Sequence, residues 1–181
     1  MVNIINDYIH EYDFPVHNLF MESKEELVSI FWDKIGEYDS GNIPLDYVFS
    51  NSGIINLVKS MFVRILQDNY DIEENDDIFN RPLGMYVQNH ENYLPVYHNH
   101  VNVATVNSTF YIDPPENGGE ISFLVGAETI NVQPLPNKIY VFPSWLYHAP
   151  LPQKSPIERV CINMGYYSKS RAVHKNSKVA W

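Results

Sequence analysis

The stretch VYHNHVNV, residues 96–103, places His98 and His100 two positions apart in a run that otherwise reads as a β-strand. In an extended chain, residues i and i+2 point to one face, so this spacing predicts two imidazoles side by side. They are either a polar pair on a wet face or two groups that hold something together.

Outward from that stretch, the second half of the chain is a series of short β-rich runs. GMYVQNH, YLPVYHNHVNV, NSTFYID, EISFLV, ETINVQP, KIYVFP and ERVCINMGYY are separated by turn chemistry, most clearly DPPENGGE at 113–120. Such a pattern predicts a sandwich, jelly roll or small barrel.

Upstream the period is helical. SKEELVSIFWDKIGEY opens with Ser23 and Glu26 at capping-box spacing, and Leu27, Ile30, Phe31 and Ile35 recur at helical intervals. A second helix is predicted over 54–68, with Ile55, Val58, Met61, Phe62 and Ile65 on one side. The acidic run YDIEENDDIFNRP then reads as a solvated loop. The expected architecture is α+β, with two amphipathic helices covering one side of an antiparallel double sheet. At 181 residues the chain reads as one domain. Its expected parts are a helical support region at 1–83, a β core at 84–168 and a tail at 169–181.

Composition narrows the function. The 45% hydrophobic and 14% aromatic content excludes a disordered chain. A formal net charge of -10 argues against nucleic acid and anionic membranes as partners, because both need a basic surface. The basic stretch SKSRAVHKNSK near the C-terminus reads as a solvated tail. A single cysteine, Cys161, permits no internal disulfide and predicts a reducing, cytoplasmic setting. No run approaches ~18 consecutive apolar residues, and the N-terminus lacks the pattern of a signal peptide.

His98 and His100 need a third group, and His148 in YVFPSWLYHAPLP is the candidate. Three imidazoles can converge on one metal at a barrel mouth and leave positions open for other ligands. Arg159 follows on a strand that alternates Arg159, Cys161 and Asn163 with Val160, Ile162 and Met164. An inward guanidinium is costly without an anion, and its planar fork suits a carboxylate. A small dicarboxylate would satisfy it. Cys161 reads as a small buried hydrophobe.

Residues 84–167, with FPSWLYHAPLP and the following Arg159 as the most telling segment, resemble the Fe(II)- and 2-oxoglutarate-dependent oxygenases. The likeness is greatest to small prolyl-hydroxylase-like members of the kind found in phages and marine bacteria. The resemblance implies a cupin-like double-stranded β-helix, or jelly roll, with N-terminal helices packed outside. It implies Fe(II) held by His98, His100 and His148, and 2-oxoglutarate gripped through its distal carboxylate by Arg159 and Tyr111. Asn163 would line the pocket, and Gln88, with Tyr86 and His90 on its strand face, would contact cosubstrate or substrate. The implied reaction uses dioxygen to couple decarboxylation of 2-oxoglutarate to succinate with hydroxylation of a C–H bond in a peptide or small molecule. Loops at the barrel mouth, including PENGG, would set specificity, as would the VSIF helix region and the C-terminal tail. Members usually carry Asp or Glu two residues after the first His. This sequence has His100 there, which removes one negative ligand.

Two alternatives stay open on the residues alone. One is a three-His cupin-type or zinc metalloenzyme, in which Arg159 would have no task. The other is a non-catalytic jelly-roll binding module. The sequence selects neither a primary substrate nor an oligomeric state.

Overall fold

The structure is a computed structural model and describes residues 2–39, 41–72, 77–89, 95–168, 172–176 and 181. The chain opens with a hairpin, β1 (Val2–Asn6) and β2 (Ile9–Asp13), then α1 (His17–Met21) and α2 (Lys24–Lys34). Next come β3 (Ile43–Pro44), α3 (Leu45–Val48), α4 (Ser52–Asn69), β4 (Tyr70–Asp71) and α5 (Asp77–Asn80). The β-rich half holds β5 (Gly84–Gln88), β6 (Val106–Tyr111), β7 (Ile121–Val125), β8 (Glu128–Val132), β9 (Lys138–Pro143), β10 (His148–Pro150), β11 (Arg159–Tyr166) and β12 (Val173–His174).

One antiparallel sheet of seven strands runs in the order β1-β2-β9-β6-β11-β5-β3, and a three-stranded sheet runs β10-β7-β8. The expected α+β double sheet is the observed architecture, a cupin-like double-stranded β-helix with helices on one side. Period-2 alternation assigns the faces of the large sheet. Val160, Ile162, Met164, Ile139, Val141, Val106, Phe110, Met85 and Val87 bury one face against the helices. α4 meets it with Ile55, Val58, Phe62 and Leu66, and α2 with Leu27 and Phe31. Burying each such side chain contributes roughly 1.5–3 kcal/mol. The opposite face carries Tyr111, Tyr140, Phe142 and Cys161, which pack with Ile121 and Phe123 of β7 and with Leu146. This second core is the interior of the β-helix.

Local chemistry explains where the elements begin. α4 starts at Asn51, whose side-chain oxygen accepts from the Ile54 amide at 3.2 Å. α2 starts at Ser23 as expected, but the Ser23 side chain makes no cap hydrogen bond, so the predicted capping box is not formed. The N-terminal hairpin was not anticipated. Its turn closes on Asn6, whose side-chain oxygen accepts from the Tyr8 and Ile9 amides at 2.8 Å each. Strands therefore join the large sheet from within the region expected to be helical. The acidic run is also not all loop: it holds β4 and α5, and residues 73–76 lie outside the described residues.

The largest departure concerns residues 96–103. They are not a strand. Only His98 makes a β-bridge, to His148, and residues 101–103 form a turn. The His100 carbonyl accepts from the Val103 amide at 3.0 Å and the Ala104 amide at 3.1 Å. The chain thus coils away immediately after His100, where a ladder would have continued.

Candidate metal and dicarboxylate site

The three histidines predicted from the sequence lie together. Each offers a ring nitrogen, and these atoms are all within 4.8 Å of one another. Ring centroids are 4.5 Å apart for His98 and His148, 5.0 Å for His98 and His100, and 5.2 Å for His100 and His148. Two long-range contacts place them. The His98 and His148 backbones exchange amide-to-carbonyl hydrogen bonds of 3.0 Å in both directions, and the His100 amide donates to the Ser144 carbonyl at 2.8 Å. The segment before β6 is thereby laid across the entrance to β10.

Backbone contacts orient two of the imidazoles. His98 Nδ1 lies 3.0 Å from the Val96 carbonyl, and His148 Nδ1 lies 3.0 Å from the Leu146 carbonyl. A carbonyl can only accept, so each ring carries a proton on Nδ1, which leaves Nε2 as the nitrogen directed away from the backbone contact. Burial pushes the His148 pKa down to about 3, with His98 and His100 adding to the effect. Burial and the neighbouring His98 push that of His100 down to about 4. Both rings are neutral near pH 7, the form that binds metal. Phe142 and Phe123 pack on the His148 ring, with centroids 4.7 and 6.0 Å away, and shield its inner side. His98 is exposed and His100 half-buried, so the cluster opens to solvent on their side. No carboxylate joins the group among the described residues.

Arg159 lies on the same interior face. It is 1% exposed, and β11 pairs with β5 so that Arg159 stands opposite Gln88 and Cys161 opposite Tyr86. Arg159 Nη1 donates to the Gly119 carbonyl and Nη2 to Gln88 Oε1. Its guanidinium carbon stands 5.4 Å from the centroid of the Tyr111 ring, a cation–π contact. All three partners are uncharged. Arg159 Nε, Gln88 Nε2 and Tyr86 Oη are buried without a hydrogen-bond partner. Two of these are obligate donors and the third, a hydroxyl, can donate. A buried cation ringed by unused donors fits a carboxylate, which accepts through two oxygens. The residues present therefore fit both a divalent metal and a dicarboxylate.

The remaining predicted residues divide. Gln88 is in contact with Arg159. Tyr111 is too, but through its ring face; its hydroxyl lies against Thr109 and Cys161, and burial pushes its pKa well up. Asn163 shares the face yet is spent elsewhere, donating to Asn42 Oδ1 at 3.2 Å and accepting from Cys161 Sγ at 3.3 Å. Burial also raises the Cys161 thiol pKa, which keeps it a thiol and not a nucleophile. His90 lies outside the described residues. Gly119, the last residue of the PENGG segment expected to set specificity, supplies the carbonyl that anchors Arg159. Its φ of 72° and the 2.9 Å between an added Cβ and Arg159 Nη1 make it a part of the site that only glycine fits. A cleft of about 630 Å³ beside α2, lined by Val28, Asn89 and Ile157 among others, holds none of these groups. The site is identified by its chemistry and not by its volume.

Comparison with solved structures places the fold. The chain matches the viral collagen prolyl hydroxylase of Paramecium Bursaria Chlorella virus-1 with a TM-score of 0.52 at 14% identity, covering 87% of this chain and 88% of that one. It matches a Pseudomonas putida prolyl-4-hydroxylase with a TM-score of 0.49 at 15% identity, covering 90% and 88%. Against a Phytophthora capsici prolyl 4-hydroxylase the TM-score is 0.46 at 17% identity, covering 69% of this chain and 42% of that one. The shared fold is the one seen in that viral prolyl hydroxylase. No family profile and no curated protein matches the sequence. Among the described residues, no helix is long and apolar enough to cross a membrane.

Proposed function

We propose that this protein is an Fe(II)- and 2-oxoglutarate-dependent oxygenase, a prolyl-hydroxylase-like hydroxylase. In this reading His98, His100 and His148 hold the metal and Arg159 seats the distal carboxylate of the cosubstrate. One observation carries it. Three converging imidazoles, with His148 packed on Phe123 and Phe142, and a buried guanidinium, packed on Tyr111, adjoin the same core, and the guanidinium has no acid partner among the described residues. When bound, iron and 2-oxoglutarate would supply oxidising chemistry with dioxygen as the oxidant, one oxygen atom going to succinate as carbon dioxide leaves and the other to a C–H bond of a peptide or small molecule.

The chain's own residues bind, orient and exclude water. Nδ1 donation from His98 and His148 to backbone carbonyls fixes both rings with Nε2 directed away from the backbone contact. Gln88 and the Gly119 carbonyl hold the guanidinium fork, and Tyr111 lies against its face. Arg159 Nε, Gln88 Nε2 and Tyr86 Oη are then the donors available to the carboxylate. Phe123, Phe142 and Leu146 belong to the buried apolar core beside His148. No side chain has to act as a general base, and none is placed to do so among the residues named here.

The test is cosubstrate turnover. Fe(II)-loaded protein under oxygen should convert 2-oxoglutarate to succinate. With Mn(II), 2-oxoglutarate at a hundredfold its Kd should stabilise the fold by about 2.7 kcal/mol. A protein that binds Mn(II) yet shows neither response would overturn this reading.

A further inference from the structure

We infer that the metal end of the site takes a substrate carrying one negative charge, a monocarboxylate with an apolar body, bound beside the dicarboxylate. The inference rests on the functional reading above and follows from its charges. A divalent ion brings two positive charges and Arg159 brings a third. The imidazoles of His98, His100 and His148 bind as neutral ligands. The dicarboxylate returns two negative charges, so one positive charge remains in an interior walled by Phe123, Phe142, Leu146 and Tyr111. An acidic residue at position 100 would have cancelled it; His100 does not.

The described residues offer no replacement. No carboxylate joins the three histidines, and the partners of Arg159 are a carbonyl, an amide and a ring face. Glu11, a buried acid on the same sheet, has Lys138 Nζ at 3.5 Å, and Asp113 has Lys24 Nζ at 2.6 Å. The net charge of -10 belongs to the whole chain, and exposed charges are screened beyond roughly 8 Å at physiological ionic strength. The cluster opens to solvent at His98 and His100, but its inner side is walled by Phe123 and Phe142, and beside those rings a ligand that cancels the charge is favoured over a neutral one.

The inner side of the triad describes the rest of that ligand. Phe142 and Phe123 pack on the His148 ring, with centroids 4.7 and 6.0 Å away. These rings offer contact to an apolar body and no ion pair to a second charge. A monocarboxylate with a hydrocarbon portion satisfies both features.

The experiment uses the full chain loaded with Co(II), whose visible spectrum reports changes in its ligands, at saturating 2-oxoglutarate. Butyrate should perturb the spectrum and bind at least tenfold more tightly than butyramide, its neutral counterpart of similar size. In His100→Asp, which supplies the missing charge, that preference should fall at least tenfold. Equal binding of the two probes would overturn the inference. So would an unchanged preference in His100→Asp, or butyrate that displaces 2-oxoglutarate in a calorimetric competition. If His100→Asp does not hold Co(II), the wild-type comparison of butyrate with butyramide decides alone. Failure of the wild type to bind Co(II) or 2-oxoglutarate overturns the functional reading and this inference together. Binding of both without a butyrate preference overturns the inference only.

Discussion

His98 and His148 are fifty positions apart, yet each backbone donates to the other at 3.0 Å, so one isolated β-bridge sets the spacing of two ligand rings. Because main-chain atoms make the bridge, the side chains can be changed without breaking it.

His98→Ala should therefore leave the fold intact, since the ring is exposed. It should lower Mn(II) affinity roughly a hundredfold or more, beyond the usual 10–100-fold for losing a group that only hydrogen-bonds a ligand. Titration calorimetry measures the affinity and circular dichroism the fold. Unaltered affinity would remove His98 from the ligand set.

Arg159→Met separates stability from binding. Removing a buried cation relieves a desolvation cost of several kcal/mol, while the Gly119 carbonyl and Gln88 each lose a hydrogen bond. These oppose each other, and the ligand-free variant should lie within about 2 kcal/mol of wild type. Its stabilisation by 2-oxoglutarate should vanish while Mn(II) binding persists. Urea unfolding with and without 2-oxoglutarate reads both quantities. A variant that still gains stability from the diacid would place the anion grip elsewhere.

Gly119→Ala tests the seat of the guanidinium. At φ 72° an L side chain is strained, and the new Cβ would stand 2.8 Å from Pro115 Cγ and 2.9 Å from Arg159 Nη1. The expected loss is about 1–3 kcal/mol of stability, with weaker 2-oxoglutarate binding as Arg159 is displaced. A shift under about 0.5 kcal/mol in the unfolding free energy would mean that the turn adapts.

Acid should destabilise the protein through histidines held neutral, including one far from the site. His10 is fully buried, its Nδ1 lies 2.7 Å from the Tyr70 hydroxyl and its ring centroid 4.2 Å from that of His174. Burial and His174 push its pKa from 6.5 down to about 3. Between those values the unfolded chain binds more protons, so stability rises with pH across that window and falls on acidification. From pH 7.5 to 4.5 His10 alone should account for roughly 2–3 kcal/mol. His100 and His148 act in the same direction. His10→Gln should flatten the pH dependence by about the His10 share, read from urea unfolding at the two pH values. An identical slope in the variant would assign the acid sensitivity to other groups.

How much of this was legible in the sequence differs from residue to residue. The faces of β11 were legible, because Arg159, Cys161 and Asn163 alternate with Val160, Ile162 and Met164, and strand geometry turns alternation into sidedness. The body of α4 was legible for the same local reason, since Ile55, Val58 and Phe62 recur at helical spacing, although Leu66 also joins its buried side. Residues 96–103 misled, because a β-like composition says nothing about whether a partner strand is present. Beyond the single His98–His148 bridge, the His100 amide goes to Ser144 and the Val103 amide to a turn of the segment's own.

By itself, then, the sequence determined the two faces of each long element and the residue types available for chemistry. Those follow from backbone periodicity, which is a local property. Only the tertiary structure decided which of them meet. The convergence of His98, His100 and His148, the register that sets Gln88 against Arg159, and the Gly119 carbonyl beneath the guanidinium all come from pairings between distant segments. Such pairings are fixed by burying both cores at once, and no window along the chain contains that information.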